Sequence, residues 1–116
     1  MGVGKSNIVQ RYVRGLFSKS SPTIGVDFFV KKIFIKDNVC VKVQIWDTSG
    51  SERYKAITTG HFRDANLALL IFDLTNKESF HDLDYWIEQI RQHADEDCVI
   101  TLMPNKKDIV ASEIEK

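Results

Sequence analysis

Three groups of residues have the chemical types that a phosphate-binding site needs. Gly2, Val3, Gly4, Lys5, Ser6 and Asn7 fit the second half of the pattern G-x-x-x-x-G-K-[ST]. In that pattern glycines let backbone N–H groups close around phosphate oxygens, the lysine reaches the terminal phosphates and the hydroxyl holds Mg²⁺. Its first glycine would precede residue 1. Asp47 and Gly50 follow an alternating apolar run, and Asn105, Lys106, Lys107 and Asp108 follow a second, continuous one. Acids and turn residues at strand ends are where open α/β sheets place their ligands. Each group alone has a plainer reading: a glycine turn opening a helix, strand-end turn acids, a core aromatic at Phe17, a solvated hydroxyl at Thr23.

The elements that must position these groups are legible from periodicity. Ile8, Tyr12 and Leu16, with Val9 and Val13, make one apolar helical face over residues 7–17, weakened near Gly15. The N-terminus of that helix points at the glycine loop and favours an anion. A serine-rich loop leads through Pro22 to Thr23. Residues 26–46 read as a hairpin turning at Lys36, Asp37 and Asn38, with Val39, Val41, Val43 and Ile45 alternating against polar or mixed neighbours. Residues 67–72 read as a strand buried on both faces of a parallel sheet, and 98–103 as another short buried strand. Between them, Thr75-Asn76-Lys77-Glu78 matches a capping box, and Phe80, Leu83, Trp86, Ile87 and Ile90 form a helical stripe. Ser112 to Glu115 matches a second capping box. The alternation predicts an α/β sheet with helices on its faces, a single domain over residues 1–116.

With 116 residues, 43% hydrophobic and 28% charged, the chain has the composition of one globular domain. Sixteen basic and sixteen acidic residues cancel, so no global field draws it to nucleic acid or anionic lipid. Cys40 and Cys98 are too few for a disulfide framework, and no apolar run approaches a bilayer's thickness. The expectation is a soluble protein of a reduced, cytoplasmic setting.

Taken together and in this order, Gly4-Lys5-Ser6, Thr23, Trp46-Asp47-Thr48-Ser49-Gly50 and Asn105-Lys106-Lys107-Asp108 make the chain resemble a small GTPase of the Ras superfamily. Ile24 to Phe28, Lys42 to Trp46, Arg53 to Ile57, His61 to Ala65 and Leu70 to Thr75 resemble the characteristic segments of its Rab branch. The resemblance implies a P-loop NTPase three-layer α/β sandwich. It also implies GTP or GDP bound with Mg²⁺ and use as a switch in vesicle traffic. Lys5 would bind the β- and γ-phosphates, Ser6 and Thr23 would ligate Mg²⁺, and Asp47 would hold the ion through water. Gly50 would offer its N–H to the γ-phosphate. Asn105 and Asp108 would read guanine, Phe17 would flank its ring, and the stem of Lys106 would pack over the nucleotide. Ile24, Phe28, Trp46, Tyr54 and His61 would face effectors, an exchange factor and a GTPase-activating protein, with His61 standing where the family's partner triad has an aromatic.

Several positions depart from the family's pattern. Ser51 replaces the glutamine that orients the attacking water, so hydrolysis is expected to be weak. Ser49 replaces an alanine, the loop before Thr23 is one residue shorter than usual, and Pro104 stands where a glycine precedes Asn105. The family's first strand, its C-terminal helix–strand–helix and its prenylated tail have no counterpart in the sequence, so membrane residence on cytosolic faces would belong to a longer form. The rival readings are a pseudo-GTPase that binds partners without nucleotide and a fragment without function. An adenine-nucleotide kinase is disfavoured by the Asn-Lys-x-Asp motif.

Overall fold

A computed structural model describes residues 2–15, 17, 24–48, 50 and 59–114. Their elements, in order, are α1 (Lys5–Arg14), β1 (Val26–Lys36), β2 (Val39–Thr48), β3 (Leu67–Asp73), α2 (Lys77–His93), β4 (Val99–Asn105) and α3 (Lys107–Ile114). This is the α/β order that the periodicity predicts. Within it, β1 and β2 pair antiparallel, from Val26 opposite Thr48 to Lys36 opposite Val39, and Asn38 takes a positive φ of 66° in the turn. β3 and β4 pair in parallel, from Leu67 opposite Val99 to Asp73 opposite Asn105, with α2 as the crossover. Among the described residues these are two separate two-stranded sheets.

The core lies between α2 and β3, where Leu70, Leu83 and Ile90 are buried and Phe72, Trp86, Ile87 and Ile100 pack against them. α1 lies instead on the hairpin. Arg14 stands over the Phe29 ring, and the Lys31 ammonium stands 4.1 Å from the centre of the Tyr12 ring and donates to the Tyr12 carbonyl at 2.5 Å. The stems of these cations cover apolar surface that a thin core leaves open.

Four expectations need correction, and one departure from the family's pattern, Pro104, leaves strand pairing unchanged. β3 and β4 are not buried on both faces: Leu67 is 53% exposed and Leu69 44%, and β4 has no fully buried residue. Among the described residues each has a single strand partner, and α2 covers one side. α1 starts at Lys5 and stops at Arg14, because Gly15 takes a left-handed φ of 70° and caps it through its N–H to the Arg11 carbonyl. The cap of α2 is Asn76, whose side chain accepts from the Glu78 N–H, because the Thr75 hydroxyl is committed to Asp73 at 2.6 Å. Ser112 does not open a helix; it lies inside α3 and donates back to the Ile109 carbonyl. Pro104 leaves the strand intact, since the β3–β4 register runs through it to Asn105.

Candidate functional site

The loop before α1 holds the site together. Gly4 stands at the helix N-cap with φ 96° and supplies no side-chain cap to the start of α1. That conformation requires glycine, and a Cβ there would collide with the amide nitrogen of Asn105. From the α1 side, Ser6 donates to Asp47 Oδ2 at 2.5 Å, joining the loop to the end of β2. From β4, Asn105 Nδ2 donates to the Val3 carbonyl at 2.8 Å and Lys106 Nζ donates to the Gly2 carbonyl at 2.8 Å. Three sequence groups separated by some forty and a hundred residues thus meet at one short loop.

The electrostatics of the meeting point are unusual. Asp47 is only 3% exposed, and its second oxygen, Oδ1, is buried without a partner among the described residues. Burial raises its carboxyl above the ordinary range, against the Ser6 hydrogen bond and the Lys5 charge, while Asp27 adds to the rise. Burial lowers the Lys5 ammonium below its usual value, and the charge of Asp47 only partly restores it. A carboxylate oxygen buried without a donor, beside a hydroxyl, is a donor set suited to a hard cation. Mg²⁺ takes few protein oxygens and completes its shell with water and phosphate. The residues present therefore fit the group.

Other expected site residues are placed differently. Asn7 is half-buried with its side-chain oxygen unpartnered, and Gly50 is half-buried after β2. Asp108 lies exposed in the first turn of α3, and Phe17 is 80% exposed. Among the described residues no hydrogen bond or ring contact ties either to the loop. Thr23, Ser51 and Tyr54 lie outside the described residues, as does Ser49. Ile24 is exposed at the entrance to β1. Phe28 and Trp46, opposite one another in the hairpin, have ring centres 4.5 Å apart, and the His61 ring stacks on Trp46 at 4.8 Å. The expected partner-facing triad is thus one surface cluster.

Sequence reasoning missed Asp73. It ends β3 opposite Asn105, is buried, and forms an ion pair of 2.7 Å with Lys106. The available signal was an acid closing an apolar run, the same signal that exposed Asp47.

A glycine loop at a helix N-terminus, joined to strand-end polar residues from two sheets, is the arrangement of a phosphate loop on an α/β fold. The sequence matches the Ras family over residues 1–116, and the chain belongs to that family. The curated relatives that it resembles carry Rab, Ypt and Ras-related names. It is 46% identical over 110 residues to the GTP-binding protein ypt3 of Schizosaccharomyces pombe (strain 972 / ATCC 24843), covering 94% of this chain and 51% of that one. It is 47% identical over 109 residues to the Ras-related protein RABA4a of Arabidopsis thaliana, covering 93% and 48%. To the Ras-related protein Rab11B of Nicotiana tabacum it is 44% identical, covering 93% and 50%. The chain spans about half the length of these curated relatives. Among the described residues no helix is long and apolar enough to cross a membrane.

Proposed function

We propose that this chain is the nucleotide-responsive part of a Rab-type switch that binds GTP and GDP with Mg²⁺, turns GTP over slowly and regulates vesicle traffic. The observation that carries this reading is the convergence of Ser6, Asp47, Asn105 and Lys106 on the loop at the start of α1. The helix N-terminus and Lys5 bind the phosphates. Ser6 and Asp47, joined by Thr23, hold the cation, which when bound neutralises phosphate charge. Asp108 and Asn105 select guanine, the carboxylate accepting the N–H groups that adenine does not present in that pattern. Ser51 is too short to present an amide to water, so the GTP form is long-lived. Effectors, an exchange factor and a GTPase-activating protein engage the Phe28–Trp46–His61 surface and the segments that a γ-phosphate orders.

The test is titration of fluorescent GDP and GTP, with and without Mg²⁺, against wild type, Lys5→Ala and Asp108→Ala, with ATP as competitor. Tight binding that ATP does not displace, lost in both variants, is expected. Folded protein that binds neither nucleotide rejects the switch. It would leave a second reading, a nucleotide-independent binding module, which draws on the fact that the ring contacts of Phe28, Trp46 and His61 use no phosphate-loop residue.

A further inference from the structure

Asp73 closes β3, and its carboxylate is fully committed. Oδ1 accepts from the Thr75 N–H at 2.8 Å and from the Thr75 hydroxyl at 2.6 Å, while Oδ2 pairs with Lys106 Nζ. Its own N–H donates to the buried Ser79 hydroxyl at 2.9 Å. The acid is therefore a fixed anchor on β3. Lys106 uses the same ammonium to donate to the Gly2 carbonyl, so it bridges the anchor and the phosphate loop. Lys106 also takes a left-handed φ of 64°, which a non-glycine residue adopts only when its surroundings hold it. A neutral carbonyl holds an ammonium weakly, whereas a carboxylate out of water makes the contact charge-assisted.

We propose that Asp73 is a positioning residue. By holding the Lys106 ammonium against the Gly2 carbonyl it locks the guanine-reading loop to the phosphate loop, and so slows nucleotide release. The inference rests on the nucleotide-binding reading above. Asparagine at this position keeps an oxygen for Thr75 but turns an N–H group toward the ammonium, removing the pair while preserving shape.

The experiment is the release rate of fluorescent GDP from the full chain in wild type, Asp73→Asn, Lys106→Met and the double variant. Release is expected to be about tenfold faster in Asp73→Asn, the worth of one charge-assisted hydrogen bond. In the Lys106→Met background Asp73→Asn should add nothing, because the acid acts through the lysine. A merely structural acid would accelerate release equally in both backgrounds, and that result overturns the inference, as does a wild-type rate in Asp73→Asn. Should Asp73→Asn fail to fold, Asp73→Glu keeps the charge but displaces it by one methylene. It should release GDP faster than wild type, and an unchanged rate again overturns the role. A wild-type chain that takes up no guanine nucleotide overturns the proposed function and this inference together. Binding with release indifferent to Asp73 overturns this inference alone.

Discussion

Two single residues have their consequences fixed by geometry. Gly4 combines a left-handed backbone with a missing Cβ that leaves space for the Asn105 amide. Gly4→Ala must bear the strained φ and push Asn105 off the Val3 carbonyl, together about 2 kcal/mol. Urea unfolding should show that loss, and GDP affinity should fall with it. Asp73 makes a prediction about pH. Burial opposes its charge, but the Lys106 ammonium and the two Thr75 donors outweigh that, and its carboxyl lies below the usual range. A carboxyl depressed on folding contributes stability that is complete above the unfolded value, about pH 4, and is lost as pH falls through the folded value. The melting temperature of wild type should therefore drop more steeply than that of Asp73→Asn from about pH 5 to pH 3, with parallel curves as the contrary result. At this scale the residues that the structure brings to one loop, Gly4 and Ser6 with Asn105 and Lys106, were legible because they lie in two short runs. Asp73 was not, because the partner that gives it meaning is on another strand and only the β3–β4 register brings the two side by side.

The elements repeat that division. The hairpin was legible to its turn because alternation and turn chemistry are local, and α2 because Leu83 and Ile90 recur on one face. Burial was not legible, since the number of strands beside β3 is no property of its own seven residues. The start of α2 shows the same competition on a smaller scale. Thr75 and Asn76 are both good capping residues, and the choice between them is made by Asp73, which takes the Thr75 hydroxyl. Asn76→Ala should accordingly cost about 1 kcal/mol of stability, measured by thermal unfolding followed by circular dichroism. Thr75→Ala should act mainly through Asp73, and so should also speed GDP release. If Asn76→Ala were neutral, the cap assignment would be wrong.

At the scale of the whole molecule the chain is loosely filled. Its accessible surface is 8779 Å², against about 6,500 Å² for a compact monomer of its mass. Its radius of gyration is 15.3 Å, against about 13 Å for its length. The reason lies in the packing: α1 covers the β1–β2 hairpin, α2 covers β3, and no sheet spans both units among the described residues. Among the described residues, the contacts that cross between them include the loop at Gly2 to Ser6, bonded to β2 through Asp47 and to the end of β4 through Asn105 and Lys106, and the Trp46–His61 stack. A ligand on that loop would stabilise both units at once, because its binding energy is lost if either one opens. Without it the link is a handful of hydrogen bonds, each worth about 1 kcal/mol, and the units are free to open separately. Amide hydrogen exchange on the nucleotide-free chain should therefore resolve two groups of protection, one in β1 and β2 and one in β3, β4 and α2. Saturating GDP and Mg²⁺ at a hundred times the dissociation constant adds about 2.7 kcal/mol. Both groups should then slow by about a hundredfold and converge toward one opening rate. A single group already present without nucleotide would mean that the two sheets are joined by more than the loop, and the loop would lose its role as their link.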